Sequence, residues 1–143
     1  METPHVRDWM TRDPVIIENG SSLSAVRSLM QRAEVHRLLV VEDGRRLVGI
    51  VTWGDLGEAW PSRFNPLEPY EVRELMARVD VDEVMVRPVV TIDPDATMSE
   101  AASLMFEHRI GALPVVEDDR VVGILTSSDI LQGLVRVLSQ YAS

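Results

Sequence analysis

Residues 113–130 carry two hydrophobic periods in succession. Leu113 to Val116 and Val121 to Leu125 are short apolar runs rich in β-branched side chains, interrupted in the second only by Gly123. Such runs predict buried strands. Glu117-Asp118-Asp119-Arg120 between them is polar turn material. Beyond Leu125 the period lengthens. Ile130, Leu131, Leu134, Val137, Leu138 and Tyr141 recur at helical spacing, which predicts an amphipathic helix. Thr126-Ser-Ser-Asp129 stands where strand becomes helix. Hydroxyls and a carboxylate there either cap the helix or help to hold a ligand carrying hydroxyls and phosphate.

The same pattern occurs earlier. Leu38-Leu-Val-Val-Glu-Asp-Gly-Arg-Arg-Leu-Val-Gly-Ile-Val-Thr-Trp-Gly-Asp-Leu56 matches residues 113–130 nearly position for position, with one extra turn residue. Upstream, Leu23-Ser-Ala-Val-Arg-Ser-Leu-Met30 faces Met98-Ser-Glu-Ala-Ala-Ser-Leu-Met105. Val6-Arg-Asp-Trp-Met10 faces Val81-Asp-Glu-Val-Met85, and Pro14-Val15 faces Pro88-Val89. The chain is one unit written twice.

Taken in order, Val6–Met10 is an apolar-faced segment too short for an independent helix. Val15–Ile17 predicts a strand, and Ser21 and Ser22 are candidate caps for a helix with Leu23, Val26, Leu29, Met30 and Ala33 on one face. Asp43-Gly44 marks a hairpin between strands at Leu38–Val41 and Leu47–Thr52, and a short helix opens at Gly54-Asp55-Leu56. Pro61, Pro66 and Pro69 break the chain, so residues 57–68 read as the connection. Tyr70–Ala77 predicts a helix leading into the second repeat. There Val89–Ile92 predicts a strand, and Thr97-Met-Ser-Glu100 is a capping box ahead of a helix face of Ala101, Leu104, Met105 and His108. Each repeat reads β-α-β-β-α, an α+β pattern. Residues 6–60 and 81–141 form the two motifs and residues 61–80 a linker with a helix. A three-stranded sheet with helices on one face leaves an apolar face uncovered, and two packed copies remove it.

Composition narrows the function. With no cysteine, disulfides, thiolate catalysis and cysteine-ligated metal are excluded. A formal charge of −9 argues against general nucleic-acid binding but leaves room for a local basic pocket. All 14 basic residues are arginine, which suits bidentate phosphate contacts and equally reflects genome base composition. The first residues lack a signal-peptide pattern, and no apolar run approaches the roughly 20 residues of a membrane span. The expectation is a soluble, cytoplasmic protein. His5 and His108 lack partners at metal-ligand spacing. Glu42-Asp43 and Glu117-Asp118-Asp119 sit at hairpin tips, where carboxylates are ordinary turn residues. No nucleophile-base arrangement, phosphate loop or metal-binding helix is legible, so neither a metal site nor an enzyme is expected.

The duplicated segments resemble cystathionine-β-synthase (CBS) motifs, and the whole resembles a stand-alone tandem pair, or Bateman module. The residues that carry the likeness are Val6-Arg-Asp-Trp-Met10 and Val81-Asp-Glu-Val-Met85, Pro88-Val-Val-Thr-Ile-Asp-Pro-Asp95, Leu113-Pro-Val-Val116, and the paired Gly-Ile-Val-Thr-x-x-Asp (49–55) and Gly-Ile-Leu-Thr-x-x-Asp (123–129). The likeness implies two motifs packed by pseudo-twofold symmetry. It also implies a regulatory module binding adenosine-containing ligands (AMP, ADP, ATP or S-adenosylmethionine) in clefts between the motifs, with no obligatory cofactor. In that family the Asp of the closing motif holds the ribose hydroxyls and the preceding Thr or Ser meets phosphate. Carried over, these roles fall on Asp129, Thr126 and Ser128, and on Asp55 and Thr52.

Repeat one has Trp53-Gly54 in place of Ser127-Ser128, and its ring either stacks on adenine or blocks the pocket. His36-Arg37 resembles the phosphate-contacting His-Arg pair of the γ subunit of AMP-activated kinase. Thr91 stands at the adenine-side strand position, where repeat one has Ile16. The likeness further implies a homodimer, a flat disc joined through helix faces with Ile130–Leu138 at the contact, read by an unidentified regulated protein. The alternative is a dimerisation or interaction scaffold with vestigial pockets.

Overall fold

The computed structural model describes residues 3–59 and 69–141. The elements run α1 (Val6–Trp9), β1 (Thr11–Arg12), β2 (Ile16–Glu18), α2 (Leu23–Ala33), β3 (Arg37–Glu42), β4 (Arg46–Thr52), α3 (Trp53–Ala59), α4 (Pro69–Arg78), a 3₁₀ turn (Val81–Glu83), α5 (Met98–His108), β5 (Ala112–Glu117), β6 (Arg120–Thr126) and α6 (Ser127–Ser139). They form two compact units that do not follow the order of the repeats. The central unit is Val15–Val89, and the terminal unit joins Met1–Pro14 to Val90–Ser143. The leading segment of each repeat therefore packs with the body of the other.

In the central unit β2 runs parallel to β3, with Ile16 beside Leu39 and Ile17 beside Val40. β3 pairs antiparallel with β4 through the Asp43-Gly44 turn, with a bulge at Val40/Val41 that the second hairpin repeats at Val115/Val116, so the extra residue of the first hairpin lies in its turn. Beyond β4, Val86 makes a single antiparallel bridge to Ile50. Ser22 caps α2 by accepting from the Ala25 amide at 3.1 Å. Leu23, Val26 and Met30 of α2 meet Leu38, Val40, Val51, Leu56, Met76, Val81 and Met85 in one core. All four residues of Leu38–Val41 are buried, the signature of a strand covered on both faces. The apolar face of α2 stops short of Ala33, which is exposed.

The terminal unit repeats this plan. β5 and β6 form the hairpin, β1 lies on the far side of β6 with Thr11 beside Ile124, and Ile92 bridges to Val115 in parallel. Thr97 and Glu100 form the expected capping box. Val6, Ile92, Met98, Ala101, Met105, Leu113, Val115 and Leu125 make the core, while His108 is exposed.

The structure corrects the sequence reading in three places. Val89–Ile92 is not a strand; only Ile92 bridges, because the one-residue pairing leaves no ladder. Pro69 does not break structure but begins α4, where its missing N–H and fixed φ are tolerated. Residues 57–59 of the expected connection belong to α3, and Pro61 and Pro66 lie outside the described residues.

Two glycines in matching positions allow close approach. A Cβ on Gly49 would collide with the Met85 sulfur, and one on Gly123 would lie 2.7 Å from the Met10 sulfur. Each glycine seats the methionine that closes the leading segment of the other repeat.

Candidate functional site

The closing motif of each repeat places its Thr and Asp at a strand-to-helix junction. In the terminal unit Thr126 is the N-cap of α6. Asp129 Oδ2 accepts from the Thr126 amide at 2.8 Å and from the Thr126 hydroxyl at 3.1 Å. The Asp129 amide donates back to the Thr126 hydroxyl oxygen at 3.3 Å. Oδ1 accepts from the Thr11 hydroxyl at 2.9 Å. In the central unit the Thr52 amide donates to Asp55 Oδ2 at 2.8 Å and the Asp55 amide to the Thr52 hydroxyl at 3.2 Å. Asp55 Oδ1 accepts nothing among the described residues. Both pairs are reciprocal caps, and both Asp residues are half-buried.

The other candidates divide between the units. Arg37 lies directly opposite Thr52 in the β3–β4 ladder, so the two side chains leave the same face of the sheet. Ala112 holds that place opposite Thr126. An arginine therefore faces one threonine across the ladder and an alanine faces the other. His36 and Arg37 have different surroundings. The exposed His36 lines a groove of about 300 Å³ with Trp53, Met30, Gln31, Glu34 and Val35, and its carbonyl accepts from the Trp53 amide at 2.7 Å. Neither Asp55 nor Thr52 lines that groove, where Trp53 lies beside α2.

Ser128 is exposed and makes none of the hydrogen bonds at the junction. The neighbouring Ser127 does, its amide and hydroxyl both donating to the Gly111 carbonyl, at 3.0 and 3.4 Å. Thr91 is exposed, one residue before the Ile92 bridge. Sequence reasoning missed Thr11. Its place immediately after Met10 was the available signal, since the matching position after Met85 holds Val86.

No group of three or more His, Asp or Glu side chains at metal-binding distance occurs among the described residues. No helix among them is long and apolar enough to cross a membrane.

The CBS domain family matches residues 6–61 and 81–136. The chain belongs to that family, as a tandem CBS pair. An uncharacterised protein of Methanocaldococcus jannaschii is 38% identical over 136 residues, which cover 92% of this chain but 47% of that protein. The CBS pair thus spans about half the length of that relative. Among solved structures, a Vibrio cholerae protein designated an acetoin utilization protein is 31% identical with a TM-score of 0.80, covering 99% of this chain and 98% of that one. The CBS domain pair of protein MJ0100, solved with 5′-methylthioadenosine and S-adenosyl-L-methionine, is 26% identical with a TM-score of 0.75, covering 93% of this chain and 97% of that one.

Proposed function

We propose that this CBS pair is a non-enzymatic regulatory module that binds an adenosine-containing ligand: AMP, ADP, ATP or S-adenosylmethionine. One observation carries the reading. In the central unit Thr52 and Asp55 cap each other at the end of β4, one Asp55 oxygen accepts nothing among the described residues, and Arg37 lies opposite Thr52 in the ladder. A carboxylate accepts from the two hydroxyls of a ribose diol, and hydrogen bonds to a charged group contribute roughly 1.5–3 kcal/mol each. A hydroxyl and a planar guanidinium suit the phosphate. The structural likeness to a CBS pair solved with two adenosine-containing ligands points the same way. Asp129 and Thr126 are the second acceptor set, and His36, Ser128 and Thr91 are the outlying candidates.

The scaffold reading is favoured by a different observation, the apolar face of α6. Leu131, Val135 and Leu138, with Tyr141 just beyond the end of the helix, are 61–72% exposed, a dense group of bare large side chains. We propose that this face joins two copies of the chain, as a component of the sensor rather than instead of it.

A thermal-shift panel of AMP, ADP, ATP, S-adenosylmethionine and NAD, with and without Mg²⁺, separates the readings. A ligand that binds only the folded state raises the melting temperature in proportion to its occupancy. The sensor reading expects a concentration-dependent rise with at least one adenosine ligand, and the pure scaffold expects none.

A further inference from the structure

The two acceptor carboxylates match in sequence and backbone but differ in how much of their capacity the protein consumes. A carboxylate offers about four acceptor positions. Among the described residues Asp129 gives three of them to the Thr126 amide, the Thr126 hydroxyl and the Thr11 hydroxyl. Asp55 gives one, to the Thr52 amide. The difference at Oδ1 traces to a single residue. Thr11 pairs with Ile124 beside β6, and at the matching place beside β4 the partner of Ile50 is Val86, which has no hydroxyl to offer. Val86 is 51% exposed, so packing does not account for its being apolar.

We propose that Thr11 is an affinity-setting residue of the terminal ligand site: its hydroxyl holds the Asp129 oxygen that a ribose diol needs, and a nucleotide must displace it. This rests on the nucleotide reading above. A diol brings two donors, and Asp129 has one position left while Thr11 is bound. Thr11 is exposed, so its released hydroxyl passes to water and the penalty is moderate rather than prohibitive. At Asp55 no such competitor stands on Oδ1 among the described residues. Thr11 thereby leaves the Asp129 carboxylate less available to a diol than that of Asp55, and Thr11, on the two-residue β1, is the element that moves when the terminal site fills.

The test is calorimetric titration of AMP into the full chain. Asp55→Asn, which retains a capping oxygen, serves as background to isolate the terminal site. In that background Thr11→Val removes the hydroxyl and keeps the β-branched shape; it is expected to tighten AMP binding about fivefold, the worth of one ordinary hydrogen bond. Thr11→Ser keeps the hydroxyl and is expected to bind as the background does. The converse variant, Val86→Thr in the otherwise native chain, is expected to weaken binding at the central site by a similar factor. A Thr11 that merely orients the carboxylate would make Thr11→Val bind more weakly, and that result, or an unchanged affinity, overturns the proposal while leaving the nucleotide reading in place. If AMP does not bind, ADP, ATP and S-adenosylmethionine take its place in the same titration, and no saturable binding of any of the four to the native chain or to Thr11→Val overturns both.

Discussion

Asp55 and Asp129 hold the ends of α3 and α6 whatever else they do. Cap and ligand contact are separable because they use different atoms and different charges. Asparagine keeps an acceptor oxygen for the Thr amide but loses the anion. Asp55→Asn is therefore expected to change thermal stability little while weakening any ribose contact about tenfold, as denaturant melts and nucleotide titrations would show side by side. Thr126→Ala removes the N-cap acceptor outright and is expected to cost about 1 kcal/mol in urea denaturation. Gly123→Ala places a methyl group against the Met10 sulfur and the Thr11 carbonyl oxygen, at 2.7 and 2.9 Å. Overpacking of this kind costs about 1–3 kcal/mol, readable as a lower urea midpoint.

The exposed ion pair of Arg7 with Asp95 raises the Arg7 pKa, first through the hydrogen bond and then through charge attraction. Arg7 stays charged throughout the ordinary pH range. Most of the pairwise chemistry was legible at this scale: Thr52, Asp55, Thr126 and Asp129 stand out by position in a repeated motif. Thr11 did not, because its partner lies 118 residues away and its place after Met10 does not name that partner.

Among the elements, the hairpins and the helices α2 and α5 were readable from periodicity and caps, since each is long enough for its pattern to recur. The segment at Val89–Ile92 was not, because composition alone cannot tell a single bridge from a ladder. His36-Arg37 reads as one dipeptide, yet the chain sends Arg37 to Thr52 and His36 to Trp53; direction depends on where β3 begins, and boundaries are weakly encoded. The helix that most needs a partner is α6. Its buried side is set by Gly133, against which the Trp9 ring packs closely, with Arg136 over that ring at 5.9 Å. Its other side carries bare leucines. Leu131→Arg with Leu138→Arg places two charges on that face without touching a buried position. The pair is expected to convert a dimer to a monomer in sedimentation velocity while circular dichroism stays native. A native chain that sediments as a monomer would contradict the assignment of this face.

For the whole molecule, duplication was visible in the chain, but its consequence for packing was not. Two β-α-β-β-α repeats suggest two self-contained bodies. The structure instead groups Val15–Val89 and, separately, Met1–Pro14 with Val90–Ser143. Sequence similarity shows which segments are equivalent, whereas the glycine notches at Gly49 and Gly123 show which segments meet. This exchange puts Thr11 beside Asp129 and Val86 beside Ile50, so two similar motifs come to differ in part through residues borrowed from one another's leading segments.

The most direct measurement is a titration of AMP and of S-adenosylmethionine into the native chain and into Asp55→Asn/Asp129→Asn. Saturable binding of at least one of them to the native chain is predicted, with affinity reduced tenfold or more in the double variant and its melting temperature nearly unchanged. A native chain that binds neither, or a double variant that binds as tightly as the native chain, would contradict the role given to these two carboxylates.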